Sequence, residues 1–243
     1  MRGADRRPRG GRGHRLLRRG RAARRRGCAR VRGLARHRCG ARRDSRVSGS
    51  HDELELKARV EDPAALERLL VGAGARLAFR GAMIDRRYDR GGALAGRDEV
   101  LRLRIYRPAA EGVEGGPASS VLSWKGPVSV RNGYKHREER EARVAEPDEA
   151  LAILERLGYE IVMRIDRTIA EYRLGGATVR IERYPAMDVL VEVEGTPDAI
   201  ERAVVATGLA RDRFLPETLP YFVAEYEART GRRARIAADA STP

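Results

Sequence analysis

The chain has 243 residues, with 50 Lys and Arg against 35 Asp and Glu, a formal net charge of +15 and only 2 Cys. Both cysteines, Cys28 and Cys39, fall within residues 1–50, which excludes disulfide stapling and thiol chemistry from the remainder. No segment approaches the roughly 20 apolar residues of a membrane helix, and no apolar stretch marks a secretory signal, so a cytoplasmic protein without a membrane partner is expected.

The basic excess is local. Residues 1–50 hold 19 Lys and Arg against 2 Asp and Glu, and the remainder holds 31 against 33. The first segment has almost no aromatic or β-branched residues and cannot bury enough apolar surface to offset its chain entropy. It is expected to be a disordered Arg-rich tail, and nucleic acid is a partner only through that tail.

From Glu53 the pattern becomes strict alternation, with Glu53, Glu55, Lys57 and Arg59 on one face and Leu54, Leu56, Ala58 and Val60 on the other, which predicts a strand. Asp62-Pro63 then opens a helix with Leu66, Leu69 and Leu70 at helical spacing, Asp62 as its cap and Gly72 or Gly74 as its stop. Alternating runs follow over 82–89, 100–107, 120–127 and 134–144, with a flexible loop over 109–120. A helix begins near Pro147 and stops at Gly158, strands follow over 165–174, 177–184 and 188–195, and a third helix runs from Pro197 to Gly208. The last segment, 231–243, is expected to be a disordered polar tail. Many strands and few short helices predict an α+β protein built on a large antiparallel sheet or barrel, with residues 51–230 as one domain.

The charged strand faces carry the functional signal. Carboxylates recur at i, i+2 in Glu53/Glu55, Glu139/Glu141 and Glu192/Glu194, and cations do so in Arg102/Arg104 and Lys135/Arg137. A spacing of two puts both members on one face of a strand. If the sheet closes with these faces inward, the lumen carries carboxylates and cations, and the apolar faces lie outside under helices. Unpaired buried charge is strongly unfavourable, so a multiply charged ligand is expected inside. A polyphosphate with Mg²⁺ or Mn²⁺ suits both sets, because carboxylates hold hard cations while Arg and Lys hold phosphate oxygens. Only three of the 50 basic residues are lysines, Lys57, Lys125 and Lys135, in a chain that otherwise uses Arg throughout.

The order of these strands resembles the CYTH family, the class IV adenylate cyclases and thiamine triphosphatases, also called triphosphate tunnel metalloenzymes. The resemblance rests on Glu53-Leu54-Glu55-Leu56-Lys57, on Asp85 and Asp89 in a strand where the family has Gln-x-Asp-x-Tyr-Phe-Asp, on Leu101-Arg102-Leu103-Arg104 preceded by Asp98-Glu99, and on Trp124-Lys125-Gly126-Pro127. It continues through Arg137, Glu139 and Glu141, then Ile181-Glu182 with Tyr184, and Met187-Asp188 with Leu190, Glu192 and Glu194. It implies a closed antiparallel eight-stranded β-barrel with helices packed outside. It further implies metal ligands at Glu53, Glu55, Glu182, Glu192 and Glu194, supported by Glu139 and Glu141, for two Mg²⁺ or Mn²⁺ ions. Triphosphate contacts fall on Lys57, Arg102, Arg104, Lys125, Arg137, Arg167 and Arg180, with Lys57 as the catalytic cation. A homodimer is compatible with the resemblance.

Five residues depart from the family pattern. Glu182 replaces Asp, Asp188 replaces Gly, Met83 and Arg87 replace Gln and Tyr, and Ile169 replaces the second cation of a Lys-x-Arg pair, with Arg164 as its candidate substitute. The cyclase branch is the nearest match, through Asp98-Glu99 and Trp124-Lys125-Gly126-Pro127, and implies conversion of ATP to cyclic AMP and pyrophosphate. The alternative is hydrolysis of inorganic, thiamine or nucleoside triphosphate. A non-catalytic polyphosphate-binding protein is the reading from another class.

Overall fold

The structure, a computed structural model, describes residues 51–109 and 118–238, with the backbone alone described for 51–53. The strands are β1 (His51–Val60), β2 (Arg76–Asp89), β3 (Val100–Pro108), β4 (Ser119–Lys125), β5 (Ser129–Arg131), β6 (Tyr134–Arg143), β7 (Glu160–Leu174), β8 (Ala177–Arg183) and β9 (Val189–Glu194). The helices are α1 (Pro63–Gly72), α2 (Pro147–Arg156), α3 (Pro197–Thr207) and α4 (Leu219–Thr230).

All pairings are antiparallel, in the order β1-β9-β8-β7-β2-β3-β4-β6-β5, and a further β1–β6 pairing closes the first eight strands into a barrel. Closure removes the unpaired edges an open sheet of this size would expose. β5 stays outside the ring as a short hairpin on β6, turned by Asn132-Gly133, whose φ values of 52° and 80° give the left-handed geometry that two-residue hairpins require.

The apolar strand faces lie outside, as the alternation predicts. Leu56, Ala58 and Val60 of β1 and Val191 and Val193 of β9 are sealed against Leu66 and Leu70 of α1 and Ile200, Ala203 and Val204 of α3. Each such buried aliphatic side chain contributes roughly 1.5–3 kcal/mol. The helices start where the sequence places them, with the Asp62 side chain accepting from Ala65 N at 2.9 Å and Thr196 accepting from Ala199 N at 3.4 Å.

Several elements differ from expectation. β2 and β7 begin earlier, at Arg76 and Glu160, and run alongside each other almost throughout. Gly81 sits where β2 lies hard against β3, since a Cβ there would come 2.2 Å from the Arg107 carbonyl oxygen. Neither β5 nor α4 is anticipated, although α4 repeats the layout of the other helices with Pro220 near its start and Gly231 after its end. Leu219 and Phe222 of α4 pack on Ile165, Tyr184 and Leu190, placing that helix at one end of the barrel. Residues 231–238, expected within a disordered tail, instead return to the barrel: Arg235 and Ala186 exchange backbone hydrogen bonds at 2.8 and 3.0 Å, and Asp166 N donates to Ile236 O at 2.8 Å. Residues 1–50, 110–117 and 239–243, which carry the Arg-rich tail, most of the expected loop and the last residues, lie outside the described residues. Among the described residues no helix is long and apolar enough to cross a membrane.

Candidate functional site: a charged tunnel through the barrel

The inward faces of the strands enclose a cavity of about 1120 Å³. Of the residues singled out in the sequence, Glu55, Lys57, Arg102, Arg104, Lys125, Arg137, Glu139, Glu141, Arg167, Arg180, Glu182, Glu192 and Glu194 all line it. Glu53 stands opposite Arg137 in the β1–β6 ladder, and its side chain lies outside the described residues. Arg164 does not substitute for the cation lost at Ile169. It neighbours Arg86 on the outer face of the wall and is exposed, while Ile165 and Arg167 take the inner positions.

Cross-strand register organises the charges. Lys57, Glu192, Arg180 and Glu171 are successive partners across β1, β9, β8 and β7. Opposite signs alternate along this row, so each cation bridges two carboxylates: Lys57 reaches Glu55 and, at 2.7 Å, Glu192, and Arg180 reaches Glu192 at 2.5 Å and Glu171 at 3.0 Å. Lys135 also binds Glu55. On the opposite wall, Glu139 holds Arg102 and Lys125, each at 3.2 Å. Glu182 accepts from Arg167 Nε at 2.9 Å and from the Tyr184 hydroxyl at 2.5 Å. Arg137 donates to the carbonyls of Gly126 and Asp98, tying β6 to the loops at the tunnel mouth.

Asp85 is a centre that the sequence named only as part of a motif. It is 1 % exposed and accepts from Arg104 Nε and Nη2 at 2.7 and 2.9 Å and from Arg167 Nη2 at 3.2 Å, with Arg102 Nη1 at 3.8 Å. Its role depends on the β2–β3 and β2–β7 registers, which no local pattern reveals. Asp89, in the same motif, instead caps the turn after β2, accepting from the backbone N–H groups of Arg90, Leu94 and Ala95 at 2.6, 3.0 and 2.9 Å. The lumen is not wholly polar: Phe79, Met83, Ile169 and Tyr106 form one apolar cluster, and Phe79 and Tyr106 line the cavity edge to face at 5.2 Å.

These contacts set the charge states. Burial opposes ionisation of Glu192, yet Lys57 and Arg180 outweigh it and hold the carboxyl down at about 2. Burial likewise opposes the charge on Asp85, and Arg104, Arg167 and Arg102 keep its carboxyl well below the usual range. For Lys57, burial is outweighed by Glu192, Glu55 and Glu182, which hold the ammonium above its ordinary value. These carboxylates keep Lys57 protonated.

The donor set suits a hard divalent cation, which takes carboxylate oxygens. Glu55 and Glu194 are direct partners in the β1–β9 ladder, and Glu192 precedes Glu194 on the same face. Among the described residues no three Asp, Glu, His or Cys side chains already converge as a metal cluster. Glu55 and Glu192 are instead closed around Lys57, so a metal ion at Glu55 and Glu192 takes oxygens that now hold that ammonium.

Solved structures from several organisms share the closed antiparallel barrel. A candidate adenylate cyclase from Vibrio parahaemolyticus superposes with a TM-score of 0.60 at 19 % identity, covering 72 % of this chain and 99 % of its own. The PH1819 protein of Pyrococcus horikoshii gives 0.58 at 23 % identity, covering 71 % and 98 %. HpAC1 of Hippeastrum, a candidate adenylyl cyclase with a dominant triphosphatase activity, gives 0.50 at 18 % identity, covering 77 % and 100 %. No protein-family profile and no curated protein matches the chain.

Proposed function

We infer that the protein is a metal-dependent enzyme that acts on a triphosphate held inside the barrel. The observation that carries this reading is the closed tunnel itself, in which Lys57, Arg102, Arg104, Lys125, Arg167 and Arg180 surround one cavity while Glu55, Glu192 and Glu194 occupy neighbouring positions on its β1–β9 wall. Within the barrel these sets pair with each other. A triphosphate with divalent ions exchanges partners with both at once: phosphate oxygens take the guanidinium and ammonium groups, and Glu55, Glu192 and Glu194, supported by Glu139, Glu141 and Glu182, hold Mg²⁺ or Mn²⁺. Divalent ions held there would supply charge neutralisation on the phosphates and activation of the attacking oxygen. The chain's own cations orient the phosphates in line and stabilise the charge that develops on them, and the closed wall excludes bulk water.

The reaction follows from which oxygen attacks. By sequence resemblance the class IV cyclase reaction comes first, with the 3′ hydroxyl of ATP attacking the α-phosphorus. Hydrolysis of a triphosphate is the second reading: two carboxylates of the cyclase-like stretch are engaged by neighbouring residues, Asp98 accepting from Val128 N at 2.6 Å and Glu99 accepting from Trp124 Nε1 at 3.4 Å. The HpAC1 triphosphatase activity points the same way.

Product analysis with ATP and with inorganic triphosphate, each with Mg²⁺ and with Mn²⁺, decides. Cyclic AMP establishes the cyclase and orthophosphate the hydrolase. Binding of triphosphate without turnover under any of these ions would leave a binding module in place of the enzyme.

A further inference from the structure

Arg87 lies on β2 where the resemblance places a tyrosine, and it lines the tunnel. Its direct neighbour across the β2–β3 ladder is Arg102, so two guanidinium groups face the same lumen side by side. Like charges directly opposite one another destabilise a sheet. The carboxylates that could compensate are committed elsewhere: Asp85, two residues before Arg87, takes both nitrogens of Arg104 and one of Arg167, and Glu139 holds Arg102 and Lys125. Arg87 has no ion-pair partner among the described residues, and its Nε is shut from solvent without a hydrogen bond. Burial and the neighbouring Arg102 push its guanidinium down to about 10.

Arg87 is partly buried, and Asp85, which acts on it as a counter-charge, is already shared by Arg104, Arg167 and Arg102, so a cation crowded in this way is expected where a ligand supplies further negative charge. One donor of Arg167, Nη1, is left unsatisfied in the same way. Both point to an anion arriving from the lumen. Arg87 is the last inward residue before β2 ends at Asp89, and it faces the end of the barrel where β3 and β7 begin. Phe79 and Tyr106 lie toward the opposite end, where Arg143 and Arg173 also line the cavity, and Tyr184 and Leu219 line it on the Arg87 side. Charge along a triphosphate is uneven, because a terminal phosphoryl group carries roughly −1.5 to −2 charges near neutral pH, as a phosphate monoester does, and each inner group carries one; an organic triphosphate has one such end and inorganic triphosphate has two.

Resting on the triphosphate reading, we propose that Arg87 and Arg102 together clasp a terminal phosphoryl group of the substrate. Arg87 is thus a further substrate-binding residue. Two planar forks on adjacent strands match the separate oxygens of one phosphoryl group, which a tyrosine at that position cannot do.

The test is calorimetric binding of inorganic triphosphate and of cyclic trimetaphosphate, in EDTA and again with Mg²⁺, to the full chain and to its Arg87→Gln and Arg87→Lys variants. The cyclic compound has three phosphates and no terminal group. Arg87→Gln should weaken triphosphate binding roughly 10- to 100-fold, the loss of one charge-assisted contact, and change trimetaphosphate binding less than threefold. Arg87→Lys should recover part of the loss. Without ligand, Arg87→Gln should melt no lower than wild type, because it removes a crowded positive charge. Unchanged triphosphate affinity overturns the proposal, as does an equal loss for both compounds or a lower melting temperature of the unliganded variant. Wild type that binds neither compound would instead defeat the triphosphate reading on which the proposal stands.

Discussion

Glu55 holds two ammonium groups, and Lys57 bridges two carboxylates. Substitutions at these residues therefore act differently. Glu55→Gln keeps the side chain's size but deletes a charge that holds Lys57 and Lys135 in the empty tunnel and metal in the loaded one, so turnover should fall roughly 100- to 1000-fold and the apparent metal affinity should drop. Lys57→Ala leaves Arg180 on Glu192 and Lys135 on Glu55, so the fold survives. The expected loss is roughly 100-fold in turnover through poorer phosphate positioning, with metal affinity changed much less. Titrating each variant with Mn²⁺ while following turnover checks the pair, and equal metal affinities in the two variants would contradict the separation of roles. The i, i+2 charge pairs were readable because one strand face is a local property. Asp85 and Arg87 were not read as site residues because their importance lies in what faces them across β3 and β7, and neighbours on other strands are invisible to a local pattern.

At the scale of elements, α1 is fastened to the outer wall by Glu67, which binds Arg80 of β2 at 2.6 Å, the Tyr172 hydroxyl of β7 at 2.9 Å and the side chain of Arg183 in β8 at 2.9 Å. Burial opposes its charge, but the hydrogen bonds from Arg80, Arg183 and Tyr172 prevail and bring the carboxyl down from 4.5 to about 2. Because the folded value lies below the unfolded one, this contribution is fully present above pH 4.5 and is lost as the pH falls toward 2. Glu67→Gln should cost roughly 1–2 kcal/mol at pH 7 and almost nothing near pH 2, measured by denaturant unfolding at both values. A second fastening explains a departure from the resembled family: Asp188 accepts from Arg229 of α4 at 2.6 and 2.7 Å, joining the start of β9 to the helix at the tunnel end. Strands and three helices are legible from alternation, the Asp62 cap and the flanking prolines and glycines. α4 was passed over although Leu219, Phe222, Val223 and Tyr226 keep helical spacing, and β5 although Asn132-Gly133 is a strong hairpin turn.

On the scale of the whole molecule, the charge that dominates the composition and the charge that forms the tunnel belong to different stretches of chain. Residues 1–50 hold 19 Lys and Arg against 2 Asp and Glu, while the remainder is nearly balanced at 31 against 33. A polyanion could therefore bind this protein for two unrelated reasons, by counterion release at the basic segment or by fitting the barrel. Thermal melting separates them. Binding inside the tunnel favours the folded state by RT ln(1 + [L]/Kd), about 2.7 kcal/mol when triphosphate is present at 100 times Kd, which for a domain of this size corresponds to roughly 5–10 °C. The eight-stranded ring closes from His51 onward through the β1–β6 pairing, so a chain beginning at residue 51 should fold and show the same triphosphate shift as the full protein. Its shift should also resist salt, because pairs buried in the wall are screened less than exposed ones. If the shortened chain folds but loses the shift, or if the full chain loses most of its shift between 50 and 200 mM salt with the slope expected of phosphate contacts at the basic segment, the anion is held outside the barrel and the tunnel is not the triphosphate site.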